Sequence, residues 1–347
     1  MKPTAKFFLF FIPVAIITSF VFHAFMSLAT ADNMAGMPLE TINALTGMST
    51  WSAAIMVGCG FALFVALIAI KKWVPIIVVL LYMFAQSTMA IPLALVMKLK
   101  PEEYSAAIGL GIIVAGLLMI LLVHAMKFYN AKNTFRNNIS PTLIVIAVIA
   151  AIAGAFAGNI ANEQLDLPNL MEQEFTDMSK NIIGILAIAI IGPIAEEVVF
   201  RGAVCRSLLK KGVSTGLTVL ISAMLFGLIH FNPAQIPFAF VMGLVLGYIY
   251  CRTGSLVPTI ITHILNNSIS VFIMAKYGEE ANDMTFADML GSQTAAWILM
   301  AVCAVASIGL LYVLHKKAEP ANVLWDKTYP DDTDIPVTPP EIPTITA

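Results

Sequence analysis

Two adjacent carboxylates and an arginine, Glu196, Glu197 and Arg201, stand within the apolar stretch "IIGPIAEEVVFRG". Further along, His230 closes "FGLIH", and His263, Asn266 and Asn267 stand in "HILNN". A carboxylate can take a proton from water, and a neighbouring imidazole can share the transfer. A glutamate and two histidines, here Glu196, His230 and His263, are also a common ligand set for a catalytic zinc with an open fourth position. Charges well inside an apolar span are costly, so they pair with one another, line a hydrated cavity or take part in chemistry. Most apolar runs of this chain carry none, and the exceptions gather between residues 196 and 267.

Spacing separates these residues. Glu197 and Arg201 are four apart, share a helix face and can form an ion pair. Glu196 lies about 100° around the same helix and lacks that partner, so it is the carboxylate free to act on a substrate. Pro193 removes an amide hydrogen and disturbs the helix near Ala189. A helix restarting there would hold Glu196 in its first turn, where the dipole favours a carboxylate. His263 and Asn267 share a face through their i,i+4 relation, and Asn266 reads as a helix–helix hydrogen-bonding contact. Counted from the turn at Gly212, Glu196 and His230 lie roughly 24–27 Å along their helices. Counted from Arg252, His263 lies roughly 16 Å and Asn267 roughly 22 Å along theirs. His263 comes out shallower, a gap that helix tilt or a loop offset must absorb. Three helices can thus bring acid, imidazoles and carboxamide to similar depth.

The elements that hold them follow from composition. Of 347 residues, 59% are hydrophobic and 12% charged, and the mean hydropathy is +0.88. Apolar runs of about 20 residues recur, which predicts an all-α polytopic transmembrane helical bundle. About ten spans are expected, near 7–28, 51–70, 74–97, 105–126, 142–161, 181–209, 213–232, 236–251, 255–275 and 295–315. The net charge of −2 and the scattering of 19 basic residues exclude a nucleic-acid patch. Cys59, Cys205, Cys251 and Cys303 are isolated and read as apolar filler within helices. His23, His124 and His315 lie near span ends or basic clusters. "GLVLG", Gly243 to Gly247, reads as a site of close helix packing. A proton-coupled transporter would use intramembrane Glu and His, but here they sit in one half and no two-fold repeat of broken helices is visible.

Lysine and arginine collect before the first expected span and after the second, fourth, sixth, eighth and tenth, which predicts that both termini are cytoplasmic. Lys98 and Lys100 are the exceptions. "ATA" at Ala29–Ala31 resembles a signal-peptide cleavage site, but the apolar stretch before it is longer than an h-region, so the first helix is expected to be retained. Residues 1–175 read as N-terminal membrane helices, 176–318 as the core that holds the polar cluster, and 319–347 as a disordered, proline-rich acidic tail.

The motifs "EEVVFR", "FGLIH" and "HILNN", in this order and spacing, resemble those of the CPBP family of intramembrane proteases, which includes CAAX prenyl endopeptidases and bacterial Abi proteins. The resemblance covers roughly residues 180–275. It implies an endopeptidase of membrane-associated, including prenylated CAAX-type, substrates in a bacterial cytoplasmic membrane. Glu196 and His230 would activate the attacking water, and His263 and Asn267 would hold the oxyanion. Glu197, Arg201, Phe226 and Asn266 would support them. These residue types suit those roles. The H-E-x-x-H helix of a zinc protease is absent, so a metal-independent mechanism is favoured, with zinc on Glu196, His230 and His263 as the alternative. A membrane binding or immunity protein on the same scaffold is the non-catalytic alternative.

Overall fold

The computed structural model describes residues 77–83, 85, 104–125, 139–278 and 280–318, together with Phe8, Ile12, Pro13 and Ile16. The expected spans 7–28, 51–70 and 74–97 lie largely outside the described residues. So do "ATA", His23, Cys59, Lys98, Lys100 and the acidic tail. No strand occurs among the described residues. The helices are α1 (Tyr104–Ala125), α2 (Pro141–Glu163), α3 (Glu172–Ser179), α4 (Ile182–Lys210), α5 (Thr215–Leu228), α6 (Ile236–Thr253), α7 (Val257–Tyr277), α8 (Glu280–Asp283), α9 (Phe286–Leu290) and α10 (Gln293–Lys317). Six of them, α1, α2, α4, α6, α7 and α10, are long and apolar enough to cross a membrane. The protein is an all-α integral membrane protein, and its described part carries six such spans and the shorter α5.

That short helix corrects the expected span 213–232. The sequence "HFNPAQ" explains the early stop, because Pro233 disfavours helical backbone at Asn232. Phe231 takes a left-handed conformation, φ +48°, and turns the chain away from the helix axis.

Each long helix starts and packs for legible reasons. Ser140 caps α2 by accepting from the Leu143 N–H, and Pro141 occupies its first turn. Small residues on α2 (Ala147, Ala151, Gly154, Ala155) are buried, and this lets α6 and α10 approach on either side. A Cβ on Gly154 would meet Ser307 Oγ at 3.0 Å and Val245 at 3.1 Å. The outer face of α10 presents Val302, Val305 and Ile308, an apolar surface suited to acyl chains. α5 and α6 form an antiparallel pair, and a Cβ on Gly243 would lie 2.8 Å from Ala223 Cα. At Gly247 the same Cβ would meet Val219 at an ordinary 3.6 Å. Close packing in "GLVLG" therefore belongs to Gly243. At the centre lies α4, whose residues from Val198 to Cys205 are all buried.

Candidate active site

α4 carries the acids, and its helical register is irregular on both sides of them. It widens to a π-turn over Ala187–Ile191, so that the Gly192 N–H reaches back to the Ala187 carbonyl. A Cβ at position 192 would stand 2.7 Å from that oxygen, which only glycine avoids. The next residue, Pro193, has no N–H, so the Ile188 carbonyl loses its helical donor in this register. Asn267 Nδ2, from α7, donates to the Ile188 carbonyl at 3.0 Å instead. The disturbance expected near Ala189 is thus a widened turn around it. The helix does not restart there, since Ile191 is itself helical. Glu196 therefore stands mid-helix and has no free N-terminal dipole beside it. A second widened stretch, Val198–Cys205, follows the acids, and Ser222 Oγ donates to its Phe200 carbonyl at 3.3 Å.

Glu197 and Arg201 form the expected ion pair, Nη1 to Oε1 3.0 Å, with both side chains fully buried. The same Oε1 lies 3.0 Å from His263 Nδ1. A carboxylate only accepts, so that nitrogen carries a hydrogen. Glu196 points elsewhere. Its side chain is 16% exposed, and Oε2 lies 3.7 Å from His263 Nε2.

His230 stands two residues beyond α5, in a turn, where the sequence reading had it inside a span. Its Nδ1 lies 2.8 Å from the Phe226 carbonyl. A carbonyl accepts, so Nδ1 donates and the lone pair is left on Nε2. The loop after it is pinned by buried Asn232, whose Oδ1 accepts from the Leu170 N–H at 3.0 Å. Asn232 Nδ2 donates to Asn169 Oδ1 at 2.7 Å. Phe226 connects the parts. The His230 and His263 rings stand edge-on to it, with centroids at 5.2 and 5.7 Å, and the Arg201 guanidinium carbon lies 4.6 Å from its centroid.

His263 meets both glutamates, so the shallower depth counted from Arg252 is corrected. Residues 253–256, the turn between α6 and α7, are buried. α7 therefore begins inside the protein. Asn266 Nδ2 donates to Asn267 Oδ1 at 3.1 Å, a contact within α7 where one between helices was expected.

Glu196, His230, His263, Asn266 and Asn267 all line one cavity of about 370 Å³. Asn159 and Asn162 of α2 line it too, and the sequence reading missed both. Asparagines three apart in an apolar span were the available signal. A second cavity of about 250 Å³, mostly apolar, adjoins the first through Asn159, Asn266, Ser270 and Met274. Among the described residues no three His, Cys, Asp or Glu side chains converge as a metal ligand set. Glu196, His230 and His263 in this arrangement do not fit a zinc ion, and the chemistry derived below uses none.

A buried carboxylate–imidazole cluster opening on a cavity among helices long and apolar enough to cross a membrane sets the class: an integral membrane protein with a buried polar site. Residues 178–269 match the family model described as Type II CAAX prenyl endopeptidase Rce1-like, so the resemblance read from the three motifs holds over the segment that carries them. Two curated relatives are similar over more of the chain. YdiL of Bacillus subtilis (strain 168), whose name assigns it provisionally to the membrane peptidases, is 25% identical over 214 residues, 56% of this chain and 87% of the relative. The membrane-embedded CAAX protease MroQ of Staphylococcus aureus (strain USA300) is 25% identical over 241 residues, 61% of this chain and 96% of the relative. No solved structure matches. These likenesses support a membrane-embedded protease.

Proposed function

We propose that the chain is an intramembrane endopeptidase in which Glu196 and His230 activate water for attack on a peptide carbonyl. One observation carries the reading: residues of α4, the α5 terminus and α7 bring Glu196, His230, His263 and Asn267 onto one cavity. With Nδ1 of His230 committed to the Phe226 carbonyl, its Nε2 is the acceptor available to water. The water oxygen bonds to the carbonyl carbon, and its proton passes to the Glu196 carboxylate. The carbonyl oxygen takes the negative charge. When the C–N bond breaks, Glu196 returns the proton to the leaving amine nitrogen.

Asn267 and His263 hold that oxyanion. Asn267 gives one amide hydrogen to Ile188 and retains a second. His263, its Nδ1–H given to Glu197, presents Nε2 to the cavity and donates from it when the ring carries both hydrogens. The substrate is a membrane-associated protein or peptide, and the family description extends this to prenylated CAAX-type ends. The adjoining apolar cavity suits an apolar part of such a substrate.

The test is cleavage of membrane-anchored peptides by the purified protein in liposomes. Glu196→Gln and His230→Ala should each lower kcat by about 10²-fold or more, and Asn267→Ala by about 10²–10³-fold, with the helical signal retained. Full activity in the first two variants would sink the assignment. A zinc chelator should leave turnover unchanged; inhibition reversed by added zinc would replace this mechanism with a metal-dependent one.

A further inference from the structure

We propose that Asn232 and Asn169 are positioning residues for His230, so that the loop between α2 and α3, ahead of the Rce1-like segment, helps build the site. This rests on the reading of His230 as a partner in water activation. His230 stands between the end of α5 and the start of α6. Its side-chain hydrogen bond, to the Phe226 carbonyl, stays within its own helix end, and the Phe226 ring that backs it belongs to α5 as well. The next residue is no anchor, since Phe231 has a left-handed backbone and is 67% exposed. What holds the imidazole against the rest of the site comes from the residues that follow.

Asn232 is fully buried, and both ends of its amide cross to that loop, Oδ1 to the Leu170 N–H at 3.0 Å and Nδ2 to Asn169 Oδ1 at 2.7 Å. Ala234 adds two more ties. Its N–H donates to the Pro168 carbonyl at 3.2 Å, and its carbonyl accepts from Asn162 Nδ2 at 2.8 Å. Among the described residues, these four are the hydrogen bonds by which residues 229–235 reach anything beyond α5 and α6. All four end on residues 162–170, ahead of residues 178–269. The Asn232 carbonyl also accepts from the Gln235 and Ile236 N–H groups at 2.9 and 3.0 Å, so the residue that grips the loop also starts α6. A buried amide engaged at both ends fixes orientation as well as distance, and loss of either end strands a buried partner. Two residues upstream, His230 inherits that fixed position.

Asn169 separates this tie from general stability, because its side chain serves only as an acceptor: Oδ1 takes hydrogens from Asn232 Nδ2 and from the Met171 N–H. Asn169→Asp keeps that acceptor and should cleave membrane-anchored peptides at close to the wild-type kcat. Asn169→Ala and Asn232→Ala should lose roughly 10- to 100-fold in kcat, the cost of a misplaced catalytic group, while KM stays within about twofold. Should Asn232→Ala fail to fold, the half-buried Asn169 carries the test alone. Gly154→Ala, which strains the contact of α2 with α10, should keep its kcat and so show that strain in the fold does not by itself lower turnover. A nitroxide on Phe231→Cys, with Cys59 and Cys303 replaced by serine, reads the turn without any turnover. Its spectrum should sharpen in Asn169→Ala and stay unchanged in Asn169→Asp. A wild-type kcat for Asn169→Ala, an equal loss in Gly154→Ala, or a spectrum indifferent to Asn169→Ala overturns the proposal. If the spectrum sharpens but the wild-type protein cleaves no peptide, the hold on the turn stands and the protease reading fails.

Discussion

Glu197 shares one oxygen between Arg201 and His263, each 3.0 Å away, and the Glu197 and Arg201 side chains are fully buried. A buried ion pair of this kind is held less by its net attraction than by the cost of separating it. Removing only the cation should therefore be worse than removing the charge of both partners. Arg201→Met is expected to cost about 3–5 kcal/mol by leaving Glu197 uncompensated, and adding Glu197→Gln should recover much of that loss. Denaturant titration of the protein in micelles checks this; a double variant as unstable as Arg201→Met would show that packing, not charge, is what Arg201 supplies. The pair was legible because two residues four apart on a helix can only face the same way. The separate fate of Glu196 was legible by the same geometry. Phe226 as the ring shared by both imidazoles could not be read, since contacts between helices leave no periodicity in a single chain.

Local irregularity in α4 decides where those side chains point. Gly192-Pro193 signals a break in the sequence, but the widened register on both sides of the acids does not, because residue types that suit an α-turn suit a π-turn equally well. Asn267 closes the account by donating to the carbonyl that Pro193 cannot serve. Asn267→Ala should then cost about 1 kcal/mol in stability, and less in a Pro193→Ala background, where residue 193 regains an N–H. A double-mutant cycle reads this coupling directly; additive losses would mean that Asn267 does not compensate for Pro193. Peptide cleavage should stay low in the double variant, since restoring the helix does not restore an oxyanion donor. The α6 glycines divide similarly. Both were legible as small residues, yet only Gly243 sits where a backbone comes within 3 Å of its missing Cβ, a matter of rotation about the helix axis that sequence spacing leaves open.

At the scale of the molecule, charge separates along the helix axes. Arg252 Nη2 donates to the His315 and Ala318 carbonyls, both at 2.7 Å, and this ties the end of α6 to the end of α10. Cys205, Leu208, Tyr250 and Cys251 are buried in one apolar cluster, so the basic end of α4 lies there too. Lys210, Lys211, Arg252, Lys316 and Lys317 thus gather at one end. At the other, Asn162 Nδ2 donates to the Ala234 carbonyl at 2.8 Å and Gln293 Nε2 to Gln164 Oε1 at 3.4 Å, which collects the loops carrying Glu163, Glu172 and Asp177. The cavity includes Met171, Phe175, Ala234 and Gln235 and so lies toward this acidic end. By the rule that basic connections stay in the cytoplasm, an impermeant maleimide should label Glu172→Cys in intact cells and Lys211→Cys only after permeabilisation, with Cys59 and Cys303 replaced by serine. That outcome would have substrates approach the cavity from the non-cytoplasmic face. The opposite labelling would turn the molecule over, put the cavity toward the cytoplasm, and show that the basic clusters do not set its orientation.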